Sequence, residues 1–167
     1  MRARASAAPR LDVSMLIHAA PELVLRAFFD AGALGAWLRV RRSITTPRTL
    51  GVYAIEWPVA DTSDEVLGRL GGVFRGTVMQ FEAGRGFFVA DGVWLPPEGE
   101  PIGPMALTVT CAAEKATDLE LSPDGIATYL RVEQTGFEES DRWRRYYELA
   151  DAGMRRALTS LKGLLER

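Results

Sequence analysis

One cysteine, Cys111, and one histidine, His18, are the only thiol and imidazole in this chain of 167 residues. No intramolecular disulfide can form, and a reducing cytoplasm suits such a chain. The same scarcity leaves a metal ion almost nothing to bind, because no carboxylate cluster stands at ligand spacing either. No run approaches the ~20 apolar residues of a membrane-spanning helix. Excess positive charge is also missing. The 20 Lys and Arg against 22 Asp and Glu leave a formal charge of −2, so no basic field would recruit nucleic acid. The opening MRARASAAPR is basic but lacks the apolar segment of a secretory signal, and residues 1–9 read as a flexible tail. The glycines of GRLGG and AGRG lack the Lys-Ser/Thr and the following helix of a phosphate loop, so they read as turns.

What is present points to a β-rich domain with a real core. Hydrophobic residues make up 47% of the chain, and 16 Gly and 9 Pro punctuate many short segments. LDVSMLIHA alternates, with Leu11, Val13, Met15 and Ile17 on one face, which predicts a strand. Pro21 suits the first turn of a helix, with Glu22 near the positive end of its dipole. PELVLRAFFD has an apolar stripe. Gly32 is expected to break it, with a second short helix over ALGAWL. Strands are then predicted over RVRRSITT, GVYAIEW, VFRGTVMQFEA, RGFFVADGVWL, MALTVTCAA and IATYLRVEQT. A hairpin is expected at Gly84 and a turn at SPDG, 122–125. Residues 58–72 and PPEGEPIGP read as long loops.

The last segment is a long amphipathic helix. At 100° per residue, Trp143, Tyr146, Tyr147, Ala150, Met154, Ala157, Leu158, Leu161, Leu164 and Leu165 fall in a stripe roughly 120° wide. Arg144, Arg145, Arg155, Arg156, Glu148 and Lys162 lie opposite, and Leu149 is the one large apolar residue off the stripe. A length of about 23 residues gives ~34 Å, enough to span a twisted sheet. The stripe is bulky at both ends, and its middle holds Ala150, Met154 and Ala157, with Gly153 at its margin. Small residues there predict space beneath the helix.

This order resembles the helix-grip superfamily (SRPBCC), which includes START lipid-transfer domains, the birch-pollen allergen type and polyketide cyclases. More specifically, the chain is similar to the branch named after the C-terminal domain of activators of the ninety-kilodalton heat-shock protein ATPase. The matching residues are APELVLRAFFDAGALGAWL (Pro21, Val24, Ala27, Leu34, Trp37), GGVFRGTV (Gly71, Gly72, Phe74, Gly76), VADGVW ending at Trp94, and LRVEQTGF before a helix ending ALTSLKGLLE. The resemblance implies one α+β domain over residues 10–167. Its fold would be a curved antiparallel sheet of about seven strands around the C-terminal helix, with two short helices after the first strand. Curvature would exploit Gly76 and Gly92. The chain departs from the pattern in its longer polar loop at 58–70 and in Gln134, where the family often has histidine.

The resemblance implies that a small, mostly apolar molecule binds inside and does not imply one reaction; the residues themselves suggest a hydrophobic or amphipathic ligand, no cofactor and no catalytic group. By strand and helix parity, the expected lining is Tyr53, Ile55, Trp57, Phe74, Val78, Trp94, Leu107, Val109, Leu130, Val132, Gln134, Tyr147, Ala150 and Met154. Asp91 joins them if it points inward, and a bulge at Asp91–Gly92 would turn it out. Gln134 is expected at the pocket rim, His18 at the surface or rim, and Cys111 facing inward as a small hydrophobe. One alternative function is a stress-response-like protein-partner module using the arginine face of the last helix. A second is a cyclase-like enzyme drawing on Tyr53, Asp91, Gln134 and Tyr147. The oligomeric state is left open.

Overall fold

A computed structural model describes residues 9–167, so the expected tail falls almost wholly outside the described residues. Alternation makes β1 (Leu11–Ile17), which buries Leu11, Val13 and Ile17. Pro21 opens α1 (Pro21–Arg26). The second helix, α2 (Ala31–Trp37), starts earlier than its apolar pattern suggests. The Asp30 carboxylate caps it by accepting from the Ala33 N–H at 2.8 Å. Gly32 therefore lies inside α2 and breaks nothing. A good cap satisfies otherwise orphaned N–H groups and outweighs the modest cost of a helical glycine.

The strands are β2 (Arg42–Thr45), β3 (Gly51–Trp57), β4 (Ser63–Asp64), β5 (Gly68–Arg69), β6 (Gly72–Glu82), β7 (Gly86–Leu95), β8 (Ile102–Lys115) and β9 (Ile126–Thr135). The segment expected as a plain loop over 58–72 contains the small β4–β5 hairpin, which buries Leu67. The sequence hides this because each strand is two residues long and shows no period. Strand β8 likewise begins at Ile102, inside the segment read as a loop.

Seven strands form one antiparallel sheet in the order β1-β9-β8-β7-β6-β3-β2. From β2 to β9 it is a meander, interrupted only by the β4–β5 hairpin, and β1 closes on β9 with Leu11 opposite Gln134. Register shifts between Arg75 and Thr77, and between Val89 and Gly92, bend the ladder. At both bends a glycine is required by space. A Cβ on Gly76 would meet Val89 and the Ala90 carbonyl, and one on Gly92 would meet Phe74 and the Met105 carbonyl. The bends curl the sheet around α3 (Asp141–Leu165), whose 25 residues reach ~37 Å. Ser140 caps it by accepting from the Trp143 N–H at 3.1 Å. This is the α+β helix-grip architecture.

Two aromatic clusters mark the core. Phe28, Phe29, Trp37, Tyr53 and Phe87 pack under α1 and α2, with centroids such as Phe28–Trp37 at 4.9 Å. Trp94, Phe137, Trp143 and Tyr146 pack under the start of α3, with Trp94–Tyr146 at 5.7 Å. At its far end α3 is clasped to β1. The Glu166 Oε2 accepts from the His18 backbone N–H at 2.8 Å and from Lys162 Nζ at 2.7 Å, and lies 2.8 Å from His18 Nδ1. His18 Nε2 lies 2.9 Å from the Thr117 hydroxyl. The expectation of a surface histidine is thus overturned: His18 is buried. Strand alternation puts it off the main core face, but the C-terminus of α3 and the β8–β9 loop cover it.

Candidate functional site

Between the inner face of the sheet and α3 lies a half-open cavity of about 750 Å³. Its floor comes from β3, β6, β7, β8 and β9 through Tyr53, Ile55, Trp57, Phe74, Trp94, Leu107, Val132 and Gln134. One wall is Phe28 and Trp37, next to α1 and on α2. The roof is α3, through Tyr146, Leu149, Ala150, Gly153, Met154 and Ala157. The small-residue middle of the helix therefore covers open space. A Cβ built on Gly153 would find no atom within 4 Å.

Most of the residues singled out by parity are brought together here, but some are not. Val78, Val109 and Leu130 face the same side of the sheet yet are fully buried and do not line the cavity. Val109 and Leu130 lie in β8 and β9, which α1 packs against. Tyr147 turns to the flank of the helix and packs edge-on against Phe137 at 5.9 Å. Asp91 has φ 53 and is exposed, because the bulge before Gly92 turns it out of the sheet. Gln134 is not at the rim. It is buried, and its Oε1 accepts from the Tyr146 hydroxyl at 3.3 Å.

Sequence reasoning missed the residues that reach the cavity from loops and helix ends. Pro58, Val59, Ala60, Leu67, Leu70 and Gly71 line it from the segment between β3 and β6. That segment is latched to α3: Asp64 Oδ1 accepts from Arg145 Nε at 2.8 Å, and Oδ2 accepts from the Val66 and Leu67 N–H groups at 3.0 Å. The hydrogen bond from Arg145, followed by those backbone donors, holds the Asp64 carboxyl below its ordinary value despite desolvation. Leu149, expected off the stripe, faces the cavity as well, since the curled sheet makes the covered face of α3 wider than a flat one would. Arg39, Pro58, Val59, Arg156 and Ser160 are exposed and also line the cavity, so they mark where it opens.

The interior is apolar, and its polar atoms are engaged. Trp37, Trp57 and Trp94 donate their indole N–H groups to the carbonyls of Ala27, Leu38 and Gly71 at 2.9, 3.0 and 2.8 Å. Tyr53 donates to the Phe28 carbonyl at 2.9 Å. Burial pushes the Tyr53 phenol well above its ordinary value, and does the same to Tyr146 against the opposing hydrogen bond to Gln134. Neither hydroxyl ionises at neutral pH. Among the described residues no aspartate, glutamate, histidine or cysteine lines the cavity. Cys111 is buried elsewhere in the core, and desolvation, with a smaller push from the Glu22 charge, raises its thiol to about 12. Among the described residues no group of His, Cys, Asp and Glu is placed to hold a metal ion. No described helix is long and apolar enough to cross a membrane.

No family model matches the sequence, and no curated protein sequence matches it. Solved structures do match in fold. Protein MLL2253 of Mesorhizobium loti is 24% identical, covers 95% of this chain and 98% of its own, and superposes with a TM-score of 0.66. Protein CV1439 of Chromobacterium violaceum is 21% identical over 95% and 98%, with a TM-score of 0.61. The solution structure of an Aha1 dimer from Colwellia psychrerythraea is 15% identical over 95% and 97%, with a TM-score of 0.57. At these identities the likeness is one of fold, in keeping with the Aha1- and START-like architecture.

Proposed function

We propose that this protein binds a small, largely apolar molecule in the cavity between the curled sheet and α3, and does not transform it. The observation that carries this reading is the half-open apolar cavity itself. A cavity of about 750 Å³ falls within the ~300–1,000 Å³ of small-molecule sites. It is roofed by Ala150, Gly153 and Ala157, which a filled core would replace with larger side chains. The chemistry of the lining supports binding over catalysis. General acid-base work needs a titratable group poised near the working pH, and the interior offers two phenols that burial keeps protonated. The cyclase-like alternative is weakened further because Asp91 lies outside and the Tyr53 hydroxyl is committed to the Phe28 carbonyl. A cytoplasmic setting is part of the proposal, in keeping with the free buried thiol.

Native mass spectrometry of gently purified protein, followed by denaturing extraction, tests the reading. A discrete co-purifying mass of a few hundred daltons is expected. A clean apo mass, with no shift against fatty acids, fatty alcohols and aromatic polyketide-like compounds, would overturn it.

A second reading, association through the outer surface, is favoured by one feature. Ile44, Val52 and Met79 are exposed near the open edge strand β2, and an uncovered strand edge with apolar side chains invites a partner. Analytical ultracentrifugation of the wild type beside Ile44→Lys tests it. A concentration-dependent dimer lost in the variant is expected, and a monomer at all concentrations counts against it.

A further inference from the structure

Among the described residues, the charged side chains that line the cavity are all of one sign. Among the described residues Arg39 and Arg156 are the only charged ones lining it, and both are exposed. They come from different elements. Arg39 follows the end of α2, and Arg156 sits in the C-terminal half of α3. Neither forms an ion pair with a described residue. Neighbouring arginines do find carboxylates: Arg42 pairs with Glu56 at 2.7 Å, Arg145 with Asp64 at 2.7 Å and Arg155 with Asp151 at 3.0 Å. Arg39 is also held at φ 62, a left-handed conformation uncommon for a residue with a side chain. The mouth thus carries two uncommitted guanidinium groups over an interior whose hydrogen-bonding atoms are largely engaged.

We propose that the cavity selects an amphipathic molecule with an anionic head, its apolar body against Phe28, Trp37 and Tyr53 and its carboxylate or comparable anion between Arg39 and Arg156. This rests on the cavity being the binding site. The head stays at the mouth because a charge carried inside would lose its hydration with no counter-charge to replace it. A planar guanidinium matches a carboxylate through paired N–H donors. A cationic head would meet like charge at the mouth, and a neutral one would leave the arginines unused. The arginine face anticipated as a partner surface is therefore divided, with Arg155 committed along the helix to Asp151 and Arg156 turned to the cavity.

Three of the four tryptophans, Trp37, Trp57 and Trp94, line the cavity, so intrinsic fluorescence reads occupancy directly. Titrations with dodecanoate, dodecan-1-ol and dodecyltrimethylammonium, below their aggregation thresholds, share one tail and differ in head. The Arg39→Gln/Arg156→Gln double variant is expected to weaken dodecanoate about tenfold at low salt and the alcohol by less than about twofold. Arg155→Gln should change neither. In the wild type, raising ionic strength from ~0.01 to ~0.5 M should weaken dodecanoate alone, because exposed charges are screened over a few ångströms at high salt. If the double variant and salt leave dodecanoate unaffected while the alcohol binds, the anionic-head proposal falls and the cavity reading stands. If none of the three probes perturbs the tryptophans, both fall together.

Discussion

Replacing Gly153 by leucine should make the protein more stable and a poorer binder at once. Gly153 lies in α3 directly over the cavity, and a side chain there meets open space. Two gains follow. A helix-interior glycine replaced by a good helix former gains ~0.8 kcal/mol. Fully burying a leucine side chain is worth ~1.5–3 kcal/mol, and about half of that is realistic beneath a roof open at one end. The sum is about 2 kcal/mol. A domain of this size gains about 2–4 °C per kcal/mol, so the melting temperature should rise about 4–8 °C. The four added carbons occupy space a ligand would use. At ~0.8 kcal/mol per methylene displaced, the loss is about 3.2 kcal/mol, roughly two hundredfold in affinity. Thermal melts and tryptophan titrations with dodecan-1-ol measure the two sides. The combination matters because a substitution that merely damaged the fold would lower both. A fall in melting temperature would mean the space is filled, since overpacking costs about 1–3 kcal/mol. Unchanged affinity would put the binding site elsewhere. Either result refutes the reasoning.

Three further outcomes are expected. Glu166→Gln should loosen the end of α3 at neutral pH. Although burial pushes the Glu166 carboxyl up, Lys162 and the two His18 donors hold it below its ordinary 4.5. Its stabilisation is therefore present above 4.5 and lost as pH falls through the lower folded value. Urea melts of wild type and variant should converge over that acid window, and a pH-independent difference would show that the charge is not what matters. Asp64→Asn should leave the global melt nearly unchanged but speed amide exchange across residues 60–70, because it weakens the latch to Arg145 and to two backbone donors. Unchanged exchange would mean that Leu67 packing alone holds the segment. Cys111 should resist iodoacetamide at pH 8 until the protein is unfolded, because a buried thiol raised to about 12 carries almost no thiolate there. Rapid native alkylation would contradict its burial.

The parts of the fold that local periodicity encodes were legible in the sequence. Strand β9 runs over Ile126–Thr135, the segment its alternation marks. The amphipathic stripe of α3 and its small-residue centre were readable as well, since both depend on side-chain order at a fixed angular step. The bends at Gly76 and Gly92 could be anticipated because only a residue without a side chain fits a crowded bulge. The short β4–β5 hairpin could not be, because four residues carry no usable period. Parity placed side chains on the correct side of the sheet but could not say which of them an overlying helix would seal. Val109 and Leu130 therefore read like Leu107 and Val132, although only the latter pair reaches the cavity.

The sequence by itself determined the order of the long elements, the single cysteine and histidine, and most of the inward face of each long element. These are local properties, fixed by composition and by the 2.0- and 3.6-residue periods. The tertiary structure decided the rest. His18 meets Glu166 across 148 positions, Asp64 meets Arg145 across 81, and Tyr53 finds the Phe28 carbonyl across 25. That Arg39 and Arg156, 117 positions apart, both reach the lining of one cavity belongs to the same class. Contacts of this kind depend on how far the sheet curls and where the helix lies upon it. That is settled by packing among many side chains at once, and no window of neighbouring residues contains it.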